Sequence, residues 1–322
     1  MKNKEFSRLT AFALALLTVL CALSSCRFKP EESNSVEDGK ITVAATSFPL
    51  YDIVRQISDE SAVNVVNIRP GGADGHDFDP SVGDVNTVAH ADLFVYCGDT
   101  LEAWAKKLAD SAGGDALLVD VSADITLLAA GQPHGEGFYD DDDEHIHGAD
   151  PHIWTSPKNM LAMSETVYSA LEGLGAADSE KYQSFKSGLD ELDSRCENLA
   201  SLQSENGKTL FFGDTFAFLY LTDAYGFKYI SAYPGCSDDA EPSIASMSFV
   251  SDTMKKEKAS VIFKAERSEG KAASSIASDV GAQVITLHSC HNITKAEISD
   301  GVTYISLMTS NLDGIEKAVA NQ

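Results

Sequence analysis

From residue 41 onward, short apolar runs alternate with segments in which apolar residues recur every three or four positions. The runs at 41–46, 63–68, 93–97 and 116–121 have the length and the Val/Ile/Leu/Phe content of buried strands. The intervening stretches 50–58, 82–90 and 101–109 carry the helical period instead. This alternation predicts βαβ units and a mainly parallel sheet. The same rhythm returns after residue 207, with strands at 209–212, 228–231, 260–264 and 283–287 and helices at 216–225, 244–256 and 270–280. The predicted fold class is therefore α/β, with two lobes that each hold a mainly parallel sheet flanked by helices. Residues 157–205 between them lack any strand signal. There Tyr182, Phe185, Leu189, Leu192, Cys196 and Leu199 form one apolar stripe, the mark of a long helix. Asp178 or Ser179 would cap its start. A helix of that length would join the lobes stiffly. The expected boundaries are an N-terminal lobe over 41–157, a linking helical region over 158–206 and a C-terminal lobe over 207–322.

One segment breaks the pattern. Residues 132–150 read QPHGEGFYDDDDEHIHGAD and have no apolar period, which predicts a surface loop. His134, His145 and His147 stand close to the acids of 140–144. Carboxylates and imidazoles attract divalent cations, so the expected role is an auxiliary, low-affinity metal loop. The bland alternative is a solvated insertion.

The first residues speak to location. Lys2, Lys4 and Arg8 precede an apolar stretch at 9–23, too short for a membrane span of roughly 20 residues. This arrangement predicts a secretory signal over 1–25. Leu23-Ser24-Ser25-Cys26 resembles the lipobox of bacterial lipoproteins, in which the cysteine is lipidated. Residues 26–40 are polar and would form the lipidated tether. The expected location is outside the cytoplasm, lipid-anchored on the outer face of the cell membrane or periplasmic. The formal charge of −25 argues against nucleic acid as a partner. Of the remaining cysteines, Cys97 and Cys196 fall in apolar contexts, whereas Cys236 and Cys290 fall in loop contexts. An oxidising compartment permits a disulfide between Cys236 and Cys290.

Candidate chemistry gathers on histidines. His76, His152, His288 and His291 lie at strand exits or in loops, while His90 ends a helix and reads as structural. Ligands of open α/β sheets bind beyond the carboxyl ends of strands, so loops of both lobes can converge on one cleft. Three or four nitrogen and oxygen donors suit zinc, and more oxygen would suit manganese. Glu266 is the best-placed carboxylate, with Glu241 a weaker candidate.

The lipobox, His76-Asp77-Phe78-Asp79-Pro80 and Asp150-Pro151-His152-Ile153-Trp154-Thr155-Ser156-Pro157 together resemble the zinc/manganese solute-binding lipoproteins of bacterial ABC importers. The resemblance covers essentially the whole chain beyond the signal. It implies two α/β lobes joined by a rigid helix, one Zn2+ (or Mn2+) held between them, and an ABC permease with its ATPase as partners. It implies a monomer that captures metal without chemistry, and metal ligands at His76 and His152. Two positions depart from the family pattern. Gly213 stands where the family usually has a third histidine, and His288 stands where it often has aspartate. The resemblance thus implies an altered site, with His288 as the replacement imidazole and Glu266 or His291 completing it. The competing readings are a zinc hydrolase, a manganese-binding protein and a surface adhesin. The chain has neither a His-Glu-x-x-His nor a Gly-x-Ser-x-Gly motif, which disfavours the hydrolase.

Overall fold

The computed structural model describes residues 39–69, 78–130, 148–233 and 242–320. The first lobe contains β1 (Ile41–Ala45), α1 (Phe48–Ile57), β2 (Val63–Asn67), α2 (Val82–Ala89), β3 (Leu93–Tyr96), α3 (Gly98–Leu101), α4 (Ala103–Ala112) and β4 (Leu117–Asp120). Its strands are all parallel, in the order β2-β1-β3-β4. After a 3-10 turn at Ile153–Thr155 come α5 (Pro157–Gly173) and the long α6 (Ser179–Asn206). The second lobe contains β5 (Leu210–Phe212), α7 (Leu219–Tyr225), β6 (Tyr229–Ser231), α8 (Ile244–Glu257), β7 (Val261–Ala265), α9 (Lys271–Val280), β8 (Gln283–Leu287), α10 (Lys295–Ser299) and α11 (Tyr304–Val319). Its sheet is again parallel and repeats the first topology as β6-β5-β7-β8.

Alternation along the central strands explains the layering. Val43, Ala45, Leu93 and Val95 face one side, where α1, α5 and α6 pack. Ala44, Phe94 and Tyr96 face the other, against Val88, Ala105 and Leu108 of α2 and α4. The second sheet divides in the same way, with Leu210, Phe212, Val261 and Phe263 on one face and Phe211 and Ile262 on the other. The inner faces of both sheets share one apolar core, which also takes in the α6 stripe and Met308, Leu312 and Ile315 of α11.

Long α6 starts where Asp178 accepts hydrogen bonds from the Glu180 and Lys181 amides, both 3.0 Å. It ends at Gly207, whose φ of 59° suits the left-handed cap only glycine adopts freely. Two expectations shift. The helix expected over 101–109 is split into α3 and α4 by the buried Glu102, and the one expected over 216–225 starts only at Leu219. No helix among the described residues is long and apolar enough to cross a membrane. The segments carrying Cys26, His76, His134, His145, His147, Cys236 and Glu241 lie outside the described residues.

Candidate metal centre

In each sheet the strand order reverses between the first and third strands, which is where a crevice opens at the carboxyl ends. In the first lobe that crevice lies beyond β1 and β3. The Thr46 hydroxyl and the Cys97 amide, which follow those strands, both donate to Oε2 of Glu102 at 2.7 Å. Glu102 is only 5% exposed, and burial pushes its carboxyl up, with nearby Arg69 opposing. Arg69, Cys97 and Glu102 line a pocket together with Pro151, His152, Trp154 and His291. The pocket is small, with a cavity volume of about 20 Å³. Burial raises the Cys97 thiol well above its usual range, so it is a neutral group there.

His152 is 1% exposed, and its orientation is fixed locally. Oδ1 of Asp150 accepts from the His152 amide at 2.8 Å and lies 3.0 Å from Nδ1 of the same ring. With a carboxyl oxygen as its partner, Nδ1 is the donor in the favoured tautomer of the neutral ring. Nε2 then carries the lone pair, the arrangement by which carboxylates orient metal-binding histidines.

The second lobe contributes the turn after β8. Glu266 and Asn311, both 23 residues away in sequence, hold it. Both oxygens of Glu266 accept from Ser289, Oε1 from its hydroxyl and Oε2 from its amide. Asn311 accepts from the His288 amide at 2.7 Å and donates to the His288 carbonyl at 2.8 Å. The Cys290 amide donates to Nδ1 of His288 at 2.9 Å, and Glu266 Oε1 lies 3.7 Å from the same nitrogen. An acceptor at Nδ1 requires the neutral ring, and burial accordingly lowers the His288 pKa against the pull of Glu266. Cys290 adopts φ of +67°, a left-handed conformation rare outside glycine that turns the chain back sharply. Beyond that turn, His291 faces His152 across the lobes, with ring centroids 5.2 Å apart.

The structure therefore sorts the expected residues into two pairs, His152 with His291 and His288 with Glu266. Among the described residues, no group of three or more His, Cys, Asp or Glu is arranged to hold a metal ion. Cys290 carries a free, fully buried thiol; Cys236, the other half of the expected bridge, is outside the described residues. Gly213 has a structural reason to lack a side chain: a Cβ there would meet the Cα of Ala273 at 2.6 Å and Ile262 Cδ1 at 2.8 Å. Arg69 and Glu102 escaped the sequence reading, which followed histidines. Their placement just after β2 and β3 was the available signal.

A family profile described as the periplasmic component A of the zinc-uptake complex matches residues 43–318. The zinc-binding lipoprotein AdcA of Streptococcus pneumoniae (strain ATCC BAA-255 / R6) is 28% identical over 320 residues, covering 98% of this chain and 61% of AdcA. This chain thus corresponds to less than two thirds of that relative's length. The high-affinity zinc uptake system protein ZnuA of Bacillus subtilis (strain 168) is 29% identical over 323 residues, covering 98% of both chains. The crystal structure of the Zn(II)-bound ZnuA-like domain of S. pneumoniae AdcA superposes with a TM-score of 0.68 at 26% identity, over 88% of this chain and all of that domain. With most of its length matched by one profile and its two-lobe topology shared, the chain belongs to the family of periplasmic zinc-uptake components.

Proposed function

We propose that this protein captures zinc outside the cytoplasm and hands it to an ABC-type permease driven by its ATPase. The observation that carries this reading is the His152–His291 pair, one imidazole from each lobe, at the crevice of the first sheet. His291 takes precedence over His288 as the second-lobe ligand. The lone pair at Nδ1 of His288 already serves the Cys290 amide, whereas Glu266, though bonded to Ser289 through both oxygens, keeps lone pairs that a cation can use. Those two side chains shape the turn that presents His291. His76 is the third ligand. Its segment leaves the described chain at Arg69, which lines the same pocket. Two or three imidazoles favour zinc over manganese, which prefers oxygen donors. Capture involves no bond making in the cargo, so the protein is a carrier and not an enzyme. Its lipid anchor is Cys26, and its acidic loop with His134, His145 and His147 gathers cations at low affinity.

The test is calorimetric titration of metal-stripped protein with zinc and with manganese, in wild type and in His152→Ala, His291→Ala and His288→Ala. One tight zinc site, lost in the first two variants and retained in His288→Ala, is the expected result. Loss confined to His288→Ala would return the second-lobe ligand to that residue, and unchanged binding in all three would refute the site.

A further inference from the structure

The two imidazoles come from different lobes, so something must set their separation before metal arrives. One side chain touches both. The indole of Trp154 packs edge-on against His152, with centroids 5.6 Å apart and planes at 72°, and against His291, at 5.9 Å and 69°. It is 4% exposed. Its Nε1–H donates at 2.8 Å to the carbonyl of Ser289, two residues before His291 and 135 residues away in sequence. Its own carbonyl accepts at 2.7 Å from the hydroxyl of Tyr304, a wholly buried residue at the start of α11. The segment is gripped at its other end as well. The Tyr220 hydroxyl on α7 donates to the Asp150 carbonyl at 3.0 Å and accepts from the Leu128 amide at 3.0 Å. The stretch 150–154, covalently part of the first lobe's chain, is thus bonded to the second lobe through Tyr220, Ser289 and Tyr304.

We infer that Trp154 is a positioning residue that fixes the His152–His291 geometry across the lobes and thereby sets metal affinity. The inference rests on those two histidines being ligands. A buried N–H that reaches a carbonyl of the opposite lobe defines one separation, and the ring wedged against both imidazoles limits their rotation. Outer-shell groups that orient metal-binding histidines change affinity by about tenfold or more when removed. Met or Leu would fill part of the volume, but neither supplies the donor.

Phe at this position keeps most of the ring and removes only the N–H. The experiment is a double-mutant cycle on zinc affinity, read by competition with a chromophoric chelator, using wild type, Trp154→Phe, His291→Ala and the double variant. Trp154→Phe is expected to weaken zinc binding about tenfold in the wild-type background. In the His291→Ala background it should cause less than about a twofold further change, because coupled residues are not additive. A tenfold loss repeated in that background would mean general structural damage and would overturn the inference, as would full affinity in Trp154→Phe. Full affinity in His291→Ala would instead refute the ligand assignment and the brace together. Tyr304→Phe, which frees the Trp154 carbonyl, provides a second variant should Trp154→Phe fold poorly, with a smaller loss and the same coupling to His291. The chain has 2 tryptophans, and the other, Trp104, packs against Phe78. In a Trp104→Phe background, zinc should change the emission of Trp154 and saturate at one equivalent; emission unmoved by zinc would also overturn the inference.

Discussion

At the scale of single residues, Gly213 and Cys290 show how backbone space decides the site. Gly213 follows β5, donates its amide to the Phe263 carbonyl at 2.9 Å and lies under the backbone of α9 at Ala273. The obstacle to a side chain is a helix backbone, which cannot rotate aside. Gly213→Ala is therefore expected to lower stability by about 1–3 kcal/mol, as overpacking does. Urea unfolding measures this, and unchanged stability would mean that α9 moves freely. The same crowding leaves no room for a histidine there. Sequence alone made the histidines at strand exits visible. It did not show which imidazole of 288–291 faces inward. That depends on the left-handed turn at Cys290 and on Glu266 and Asn311, contacts that no local pattern encodes.

At the scale of elements, periodicity carried most of the information. The stripe on α6 is buried at all six of the expected positions because a single helix face repeats every three or four residues. Strand order was less accessible, since a parallel pairing reveals itself only through distant partners. Helix ends needed side-chain chemistry. Helix α10, which follows the site turn, starts with a reciprocal cap in which Thr294 Oγ1 accepts from the Glu297 amide and Glu297 Oε2 accepts from the Thr294 amide and hydroxyl. Thr294→Ala should cost about 1 kcal/mol. Those bonds, the backbone one first, hold the Glu297 carboxyl below its ordinary 4.5. A depressed folded pKa adds stability that is present above 4.5 and fades as pH falls through the lower folded value. The advantage of wild type over Glu297→Gln, followed by denaturation from pH 6 downward, should accordingly shrink in that window. A constant difference would show that the cap works through its neutral hydrogen bonds alone.

At the scale of the whole molecule, the two lobes are built to hold a fixed relation. They share one apolar core, and the brace at Trp154 has a counterpart on α1. There Asp52 accepts from the Tyr304 amide at 2.7 Å and from Arg55 at 2.8 Å, and Arg55 also donates to the Val302 carbonyl at 2.9 Å. The partners lie some 250 residues apart along the chain (separations of 252 and 247), so this junction was invisible to any local reading. Tyr304 links the two ends of the arrangement, with its amide on Asp52 and its hydroxyl on Trp154. Asp52 has no solvent exposure, and burial raises its pKa above the ordinary 3.8 despite the bonds from Tyr304 and Arg55. A raised folded pKa means that the folded state binds the proton more tightly than the unfolded chain. The stability this group contributes is complete below 3.8 and is lost as pH rises through the folded value. Wild type should therefore lose stability relative to Asp52→Asn on going from pH 3.8 upward, since the amide cannot ionise. A difference that stays flat with pH would show that Tyr304 and Arg55 compensate the carboxylate fully. The junction would then stabilise the inter-lobe geometry outright, whereas a falling difference means that the charge is kept at a cost in stability for the orientation it gives α11.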